Sequence, residues 1–510
     1  MPGAIVDLSR EAPPADLTVE ICIVGSGSGG ATAAWELARA GREVVVLEEG
    51  GDFTGPALTE REGEMYDQLY MDRGGRTTVD MAVTVMQGRV LGGGGVINAC
   101  DVVPIPDGVL RHWQRRYGLS EYGPEALAPF RASALADLSA NVPDEAQLNR
   151  NNTLLRSGAR AMGWRGEVMH HNRVGCVGIG ACLIGCPENA KRNPRFVAIP
   201  QALAAGARFL TRARAVRIDD AGAELKTVHV RRLDPRGYRE QEAFTVRARV
   251  VILAANAVAS AELLLRSGIG NDHVGRHLSL QPQLPIFALF DEEIRSFRGI
   301  PQTYAVTQFE DLDDAEHGWW GFRIEAIGGT PGIVATNVPV FGHPAKALMH
   351  RFPNFAAALL LTPDDPSGRV SVARDGRLRI TYALTDEQRT RLRKAARAAA
   401  RLYLAAGARQ VLLNAAPPVL ISREADLAAI DAIDFRPATA PLISAHQQGT
   451  VRFAPSEQDG AADPDGRVYG TRDVYVFDSS GFPSSASSHT MTPILTVARY
   501  LSQRLLARAG

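Results

Sequence analysis

The chain has little charge imbalance, few cysteines and no long apolar run. Among its 510 residues, 56 Lys and Arg balance 56 Asp and Glu, so the formal net charge is zero. A balanced charge without a basic block gives no support for nucleic acid or an anionic membrane as a partner. No apolar run is long enough to span a bilayer, and the N-terminus lacks the charged-then-apolar pattern of a signal peptide. We therefore expect a cytoplasmic protein without a membrane span.

Cysteine and repeats are also scarce, which excludes two further protein classes. Five cysteines in a chain of this length do not make a disulfide framework, and no internal repeat of fixed period is visible. The remaining composition, with 45% hydrophobic and 22% charged residues, is that of an ordinary soluble globular protein. The length is sufficient for two domains. The function must therefore be inferred from local motifs.

The most informative motif is the segment ICIVGSGSGGATAAWELARAGREVVVLEEG near the N-terminus. Its pattern predicts a strand over residues 21–24, a tight turn at 25–30, a helix over 31–40 and a second strand over 44–47 that ends at Glu48. This is the G-x-G-x-x-G fingerprint of dinucleotide-binding proteins in its proper strand–turn–helix context. Because both strands and the acid are present, we favour a dinucleotide site over a purely structural turn.

Each fingerprint residue has a physical role in such a site. Gly25 permits the turn, Gly27 lets the backbone approach a pyrophosphate, and Gly30 lets the helix pack close to the strand. Ser28 lies at the helix N-terminus, where free N–H groups and the positive end of the helix dipole attract phosphate. Glu48 lies where a carboxylate accepts hydrogen bonds from an adenosine ribose. The fingerprint alone does not distinguish FAD from NAD.

The rest of the chain predicts a mixed α/β protein. Residues 247–267 are typical of a buried strand that runs into an amphipathic helix, and Thr385 to Ala405 is a strong helix candidate. Short alternating runs over 281–380 indicate an antiparallel sheet. Loops with short helices are expected over 104–170. Residues 472–507 return to a strand, a turn and a helix.

These patterns predict a discontinuous domain organisation. We expect a Rossmann-like nucleotide domain with an inserted antiparallel-sheet domain that binds substrate. The predicted divisions are an N-terminal arm at 1–18, a nucleotide domain at 19–280 and 446–510 with a loop or cap region at about 104–195, and a substrate domain at 281–445.

Five further motifs follow the fingerprint in order along the chain. They are GRVLGGGGVIN at 88–98, the segment from Ala255-Asn256-Ala257 to SGIG at 267–270, VGRHL at 274–278, HQQGT at 446–450, and VYVFD at 474–478 followed by FP at 482–483 and SSHTMT at 487–492. Together they resemble the glucose–methanol–choline (GMC) family of FAD-dependent oxidoreductases over nearly the whole chain. Gly94 and Gly95 replace the usual Ser-Ser of that family, and His277 replaces a common Asn.

The resemblance implies FAD as cofactor and the oxidation of an alcohol to an aldehyde or ketone. A base removes the hydroxyl proton, hydride passes to flavin N5, and O2 or another acceptor reoxidises the flavin. The resemblance implies that His446 is the principal base and His489 its partner at the substrate oxygen, although the two could exchange roles. Histidine suits the task because its ordinary pKa lies near neutrality. The alternative is that each histidine only caps a turn.

The resemblance also implies the cofactor contacts. The expected contact residues beyond the fingerprint are Arg89, Gly93, Gly94, Asn98, Val216, Ala255, Asp478, Ser479, Thr490 and Met491. Asp478 could instead be a strand-end cap, and Asn98 a turn residue. Some members of the family bind FAD covalently through a histidine near the glycine-rich motif. Because no histidine occurs in residues 81–111, we expect non-covalent FAD.

The segment CVGIGACLIGCP leaves several interpretations open. Cys176, Cys182 and Cys186 keep most of a ferredoxin spacing, but Ile179 occupies the second position, which excludes a four-cysteine cluster from this segment alone. A three-iron cluster, a three-thiolate zinc site, a disulfide or a structural loop remain. The segment is similar to one that leads into a lysine, here Lys191, in long-chain alcohol oxidases and sterol oxidases. This resemblance favours a structural loop without a metal.

The substrate predicted by the sequence is a small hydrophobic or amphipathic alcohol, primary or secondary. The predicted substrate domain is rich in aromatic residues, namely Phe287, Phe290, Tyr304, Phe309, Trp319, Trp320, Phe322, Phe341 and Phe355. Aromatic content more often forms core than a substrate surface, and a sugar remains an alternative. Two other reactions on the same fold also remain, namely cyanohydrin cleavage by a flavin-retaining lyase and light-driven decarboxylation of fatty acids. The oligomeric state cannot be inferred from the sequence.

Overall fold

The computed structural model describes residues 3–14, 17–314, 318–486 and 489–509. The α-helices in these ranges are α1 (Ser28–Arg39), α2 (Glu62–Leu69), α3 (Asp107–Tyr117), α4 (Pro124–Asp137), α5 (Arg150–Ala161), α6 (Ala198–Ala204), α7 (Asn256–Ser267), α8 (Pro331–Ala335), α9 (His343–His350), α10 (Asp386–Ala405), α11 (Ala428–Asp431) and α12 (Met491–Ala509). None of the described helices combines the length and apolar character that a bilayer crossing requires.

The strands of the same ranges complete the secondary structure. They are β1 (Ala4–Asp7), β2 (Leu17–Val24), β3 (Val44–Glu48), β4 (Val83–Val85), β5 (Gly166–Val168), β6 (Arg208–Thr211), β7 (Ala213–Asp219), β8 (Lys226–Leu233), β9 (Glu240–Leu253), β10 (Arg276–Leu278), β11 (Gln283–Leu289), β12 (Tyr304–Val306), β13 (Glu310–Asp314), β14 (Gly318–Gly321), β15 (Arg323–Ala326), β16 (Phe355–Leu361), β17 (Gly368–Val372), β18 (Leu378–Thr381), β19 (Gln410–Leu413), β20 (Val419–Ile421), β21 (Leu442–Ser444) and β22 (Val474–Val476).

The first large sheet is parallel where it carries the fingerprint. Its described strands follow the order β1-β6-β3-β2-β9-β8-β7, and β22 pairs with β9. The pairs from β1 to β9 and the β9–β22 pair are parallel, whereas β8 pairs antiparallel with both β7 and β9. Every residue of β3 is buried, as expected for a parallel strand covered on both faces. Helices α6 and α12 pack against α1.

The second large sheet is mainly antiparallel. Its described strands follow the order β20-β19-β11-β16-β15-β12-β5, with β21 between β11 and β4. The pairs along this order are antiparallel, and β4 runs parallel to β21. The β11–β16 pair is the longest in this sheet, from Gln283 opposite Leu361 to Leu289 opposite Phe355. Helices α5 and α10 pack against this sheet.

These two sheets confirm the predicted α/β fold class. The strand–helix–strand unit of the fingerprint appears as β2, α1 and β3, and the helix predicted from Thr385 appears as α10 with Thr385 as its N-cap. The region 104–170, expected to hold short helices, forms the longer α3, α4 and α5. The segment predicted as an N-terminal arm contributes β1, which pairs with β6. The predicted domain boundaries stay a prediction.

Candidate active site

A long cavity is lined by residues of both large sheets. Most of the predicted site residues line it, namely Gly25, Gly27, Ser28, Glu48, Arg89, Gly93, Gly94, Asn98, Ala255, His446, Asp478, Ser479, His489, Thr490 and Met491. Two predicted residues do not line the cavity. Gly30 packs against the turn before α1. Val216 follows Ala213 and Ala215, which line the cavity, and lies at the register shift in the β7–β8 pairing.

The fingerprint turn has the geometry of a phosphate cradle. Gly25 has a φ of +100°, and a Cβ added to it would lie 2.4 Å from the carbonyl oxygen of Ala254. A Cβ on Gly30 would lie 1.9 Å from the carbonyl oxygen of Gly25, so only glycine allows α1 to approach the turn. No side chain caps α1, whose Ser28 and Gly29 line the cavity. An uncapped helix N-terminus at a cavity fits the pyrophosphate of a dinucleotide.

Glu48 lies at the end of β3, where the fingerprint requires an acid. Its Oε2 accepts hydrogen bonds from the backbone N–H of Ser26 at 3.1 Å and from the Ser26 hydroxyl at 2.6 Å. Its Oε1 accepts a third from the Gly50 N–H at 2.7 Å. Burial raises the pKa of Glu48, and these donors oppose that shift. Each carboxylate oxygen has more than one lone pair, so Glu48 retains the capacity to accept a ribose hydroxyl.

The second glycine cluster lies directly against the first. A Cβ on Gly93, whose φ is +60°, would lie 2.6 Å from the Cα of Gly27. A Cβ on Gly94 would have no atom within 4 Å, whereas one on Gly95 would meet Pro194 Cδ at 2.6 Å. Gly94 therefore exposes its backbone to the cavity. These features, together with the cradle and Glu48, fit FAD.

His446 and His489 both line this cavity. Their ring centroids lie 5.1 Å apart with the planes at 69°. His446 follows β21, and His489 precedes α12, so two distant segments bring the rings together. Nε2 of the Gln283 amide lies 2.9 Å from Nδ1 of His446 and donates to it when Nδ1 carries no proton. With the amide turned over, its oxygen accepts from Nδ1–H instead, and Nε2 of His446 is the proton acceptor.

Two carboxylates that the sequence analysis missed flank His489. Nε2 of His489 lies 3.3 Å from Oε2 of Glu325 and 3.4 Å from Oδ2 of Asp101. Both carboxylates are almost completely buried, with side chains exposed by 0% and 1%. A buried carboxylate is stable only beside compensating charge or hydrogen-bond donors. This requirement favours a protonated imidazole between them.

A wider network holds these carboxylates in place. Glu325 accepts a hydrogen bond of 2.5 Å from Nε2 of Gln302, and Nε of Arg323 lies 3.1 Å from its Oε1. Arg323 also pairs with Glu310 at 2.9 Å. On the other side, Nε2 of His171 lies 3.2 Å from Oδ1 of Asp101. The network fixes the position of the acids relative to His489.

The surroundings shift the pKa values of the two histidines in opposite directions. Burial, reinforced by the neighbouring His489, holds the pKa of His446 well below its ordinary 6.5. Burial alone would also lower the pKa of His489, but the charges of Glu325 and Asp101 outweigh it and raise that pKa above 6.5. In turn, His489 and Arg323 outweigh the burial of Glu325 and lower its pKa to about 2. His489 is therefore the more basic ring of the pair, and His446 the less basic one.

Two of the predicted contact residues also have structural partners. Oδ2 of Asp478 accepts hydrogen bonds from the N–H of Asn256 at 2.9 Å and the hydroxyl of Ser260 at 2.6 Å, so it ties β22 to α7. Asn98 donates to the Met491 sulfur at 3.2 Å and accepts from the N–H of Cys100 at 3.1 Å. Both residues nevertheless line the cavity.

Part of the cavity wall is apolar. It comes from strands of the second sheet and from the segment that follows β15 and includes α8. The apolar lining residues there are Pro285, Phe287, Ile327, Ile333, Val334, Ala357, Leu359, Leu361 and Ile443. Of the aromatic residues that the sequence analysis considered, Phe287 is the one that lines this wall. Phe290, Tyr304, Phe322 and Phe355 are buried core residues, Phe341 is exposed, and the side chain of Trp319 lies outside the described residues. The four buried aromatic residues away from this wall therefore serve packing.

The cysteine segment forms a loop beside the cavity. Cys22, Cys100, Cys176, Cys182 and Cys186 are free thiols in the structure. Within the described ranges, no group of three or more His, Cys, Asp or Glu side chains is placed to hold a metal ion. Leu183, next to Cys182, lines the cavity.

Comparisons with known proteins match nearly the whole chain to one family. Residues 66–283 and 361–498 match the two family models described as GMC oxidoreductase, and residues 23–86 match an NAD(P)-binding Rossmann-like domain. The chain is 33% identical over 511 residues to a GMC-type oxidoreductase of Mycobacterium tuberculosis, covering 99% of this chain and 78% of that protein. It is 27% identical over 507 residues to the long-chain-alcohol oxidase FAO4B of Arabidopsis thaliana, covering 95% and 67%. 

Solved structures share the fold. A pyridoxine 4-oxidase from Mesorbium loti superposes with a TM-score of 0.72 at 18% identity, covering 96% of this chain and 99% of that one. A formate oxidase variant from Aspergillus oryzae RIB40 gives a TM-score of 0.69 at 15% identity, covering 97% and 99%.

Proposed function

Because the chain belongs to the GMC oxidoreductase family, whose members are flavoproteins with an FAD-binding Rossmann-like domain, we propose that it oxidises an apolar alcohol to an aldehyde or ketone. The observation that carries the proposal is that two adjacent histidines in one cavity have different partners. His446 lies beside the neutral amide of Gln283, whereas Nε2 of His489 lies near the carboxylates of Glu325 and Asp101, and the two ring centroids are 5.1 Å apart. Alcohol oxidation needs both a base and a positive charge near the reacting oxygen.

His446 is the base in this proposal. With the amide oxygen of Gln283 turned towards Nδ1–H, the neutral imidazole accepts the hydroxyl proton at Nε2. His489 stabilises the negative charge that develops on the substrate oxygen, because its own positive charge is held by Asp101 and Glu325. The sequence alone left the roles of the two histidines exchangeable, and the two carboxylates favour this order.

FAD, bound without a covalent bond, supplies the two-electron acceptor for the hydride of the alcohol. The uncapped N-terminus of α1 would hold its pyrophosphate, and Glu48 its adenosine ribose. The open backbone at Gly94 would lie beside the flavin ring. The absence of histidine from residues 81–111 supports a non-covalent cofactor.

The apolar wall supports a hydrophobic substrate. Phe287, Leu359 and Leu361 lie on adjacent strands β11 and β16 and face the same cavity as the histidines. Burying a hydrocarbon chain there is favourable by about 25 cal/mol per Å² of apolar surface. The similarity to the Arabidopsis long-chain-alcohol oxidase also favours this substrate class. Asp101 and Glu325 beside His489 disfavour a substrate carboxylate, and therefore fatty-acid decarboxylation.

The test mixes the purified holoprotein anaerobically with alcohols of increasing chain length and follows the flavin absorbance. We expect bleaching by apolar alcohols, with the aldehyde or ketone as product, and faster bleaching by longer chains. Admitting air then distinguishes O2 from another electron acceptor. If no alcohol bleaches bound FAD, the proposal fails, and cleavage of a cyanohydrin without bleaching would identify a lyase.

A further inference from the structure

A row of side chains in the cavity leads away from His446 along β11. Gln283, Pro285 and Phe287 all line the cavity, because alternate residues of a strand face the same side. Nε2 of Gln283 lies 2.9 Å from Nδ1 of His446, so the row begins beside this histidine. Since a strand advances about 3.4 Å per residue, Phe287 lies about 14 Å farther along β11.

The neighbouring strand β16 supplies a matching row. Leu361, Leu359 and Ala357 line the cavity, and they pair with the three lining residues of β11 in that order. Apart from the first residue of β11, every side chain in the two rows is apolar. We call the two rows the cavity floor. The floor begins beside His446 and ends at Phe287 and Ala357.

A short helix covers the far end of the floor. Ile333 and Val334 of α8 line the cavity, and Val334 belongs to one apolar cluster with Phe287 and Ala357. The residues of α8 that are exposed to solvent are Pro331, Gly332 and Ala335. Thus α8 lies between the end of the floor and the solvent.

Glu62 of α2 holds α8 in this position. Its Oε2 accepts a hydrogen bond from the Gly332 N–H at 2.7 Å, and its Oε1 accepts one from the Ile333 N–H at 2.8 Å. The hydroxyl of Thr330, the N-cap of α8, also donates to Oε1. A carboxylate is a favourable acceptor for the free N–H groups of a first helical turn. We call these four residues the Glu62 clasp.

The clasp joins two elements that both face the cavity. Tyr66, one turn after Glu62 in α2, lines the cavity and stacks on Tyr70 with ring centroids 4.5 Å apart. Glu62 itself does not line the cavity, and it is 270 residues away from Gly332 in the chain. Breaking the clasp would therefore release α8 from α2 without removing a side chain from the cavity wall.

We propose that Glu62 is a positioning residue that limits the length of the alcohol: the alkyl chain lies along the floor, and the clasp keeps α8 closed over its far end. This inference rests on the proposed oxidation of an apolar alcohol. Each methylene buried on the floor should strengthen binding by about fourfold, until the chain reaches α8. A longer chain must displace α8, and the three hydrogen bonds of the clasp oppose this movement.

The experiment compares the holoprotein with its Glu62→Ala variant in anaerobic flavin reduction by primary alcohols of increasing chain length. We expect the unchanged protein to favour longer alcohols up to one length and to reject those beyond it. In Glu62→Ala the rejected alcohols should bind about tenfold more tightly relative to the best one, with no change in the limiting rate of reduction. Glu62→Gln keeps one acceptor oxygen and should lie between the two. An identical chain-length profile in Glu62→Ala would overturn the proposal.

A substitution on the other side of the clasp provides an independent variant. A Cβ on Gly332 would lie 2.6 Å from Oε2 of Glu62, so Gly332→Ala should displace the carboxylate and reproduce the profile of Glu62→Ala. The matched control is Gly63→Ala, where the added Cβ would have no atom within 4 Å. Both glycines are exposed, so both variants should fold. Equal profiles in Gly332→Ala and Gly63→Ala would contradict the role of the clasp.

Tertiary alcohols separate this inference from the proposed function. They carry no hydrogen on the carbinol carbon, so they can bind but cannot transfer hydride. Their binding, measured as a change in the flavin absorbance, should show the same chain-length profile and the same change in Glu62→Ala. If it does while no primary alcohol bleaches the flavin, the oxidation proposal fails and the role of Glu62 stands. If primary alcohols bleach the flavin and the clasp variants keep the profile of Gly63→Ala, the role of Glu62 fails alone.

Discussion

His446 and His489 are the same residue type, and their surroundings shift their pKa values in opposite directions. His446 has a neutral amide partner in Gln283, whereas His489 lies between the carboxylates of Asp101 and Glu325. Opposite charge within a few ångströms favours the protonated form, and burial disfavours it. The result is a less basic imidazole next to a more basic one.

Replacing the base tests its role at the level of one residue. We expect His446→Gln to slow flavin reduction by alcohol by about 10²–10⁴-fold, because general base catalysis contributes this much. FAD content should stay unchanged, because His446 does not belong to the nucleotide cradle. The control is His229→Gln, which changes an exposed histidine paired with Asp219. Stopped-flow absorbance gives the rates, and a near-normal rate in His446→Gln would refute the assignment.

Removing one carboxylate tests the charge of His489. The reduction rate should fall as the pH rises through the pKa of His489, because the imidazolium is lost there, and this pKa lies above 6.5. Glu325→Gln should move that fall to lower pH, since His489 loses one of its two anions. Glu167→Gln, at an exposed partner of Arg323, is the control and should leave the pH profile unchanged. An identical profile in Glu325→Gln would show that Glu325 does not set the charge.

At the scale of elements, the sequence predicted those helices and strands that local spacing and turn residues determine. The unit β2–α1–β3, the helix α10 and the sheet nature of 281–380 were all apparent from spacing and turn residues. The positions of Asp101 and Glu325 were not, because each contacts His489 across a long stretch of chain. A lone acid in the strand FRIEA has no local signal that distinguishes a buried active-site carboxylate from a surface one.

Two other interpretations depended on contacts that the sequence does not encode. Val216, where a backbone contact was predicted, does not line the cavity, whereas Ala213 and Ala215 of the same strand do. The aromatic residues of the second sheet were ambiguous between core and substrate wall, and burial decides for core at most of them. Strand register, which sets the facing of each side chain, is a property of the assembled sheet.

Gly94 and Gly95, two adjacent glycines within GRVLGGGGVIN, give a prediction at the scale of elements. Gly95→Ala should destabilise the protein by about 1–3 kcal/mol, because its Cβ would overlap Pro194. Gly94→Ala should change stability by less than about 0.5 kcal/mol, because its Cβ would enter open space. Gly94→Ala should instead weaken FAD binding, since that space is where the flavin is proposed to lie. Chemical denaturation and FAD titration measure the two effects, and equal destabilisation by both variants would contradict the geometry.

At the scale of the whole molecule, the cavity connects the two large sheets. Its wall combines the fingerprint turn of the first sheet with β11 and β16 of the second. A ligand in this cavity therefore contacts both sheets, and its binding free energy adds to the stability of the folded chain. The same geometry places the hydrophobic wall beside the histidines and not at a separate surface.

Non-covalent FAD gives a prediction at this scale. Acid precipitation should release all of the yellow colour into the supernatant. Free FAD at 100 times its dissociation constant should stabilise the protein by about 2.7 kcal/mol. For a chain of this length that corresponds to a rise of about 2–3 °C in the midpoint of thermal unfolding. Colour that stays with the precipitate, or a midpoint independent of FAD concentration, would contradict the prediction.

The most direct test of the account is anaerobic reduction by an apolar alcohol that carries deuterium on the carbinol carbon. Our account predicts slower flavin bleaching with the deuterated alcohol than with the ordinary one, because breaking that C–H bond transfers the hydride. It also predicts that the aldehyde or ketone forms in proportion to the bleached flavin. Bound FAD that is not bleached by either alcohol would contradict the proposed function.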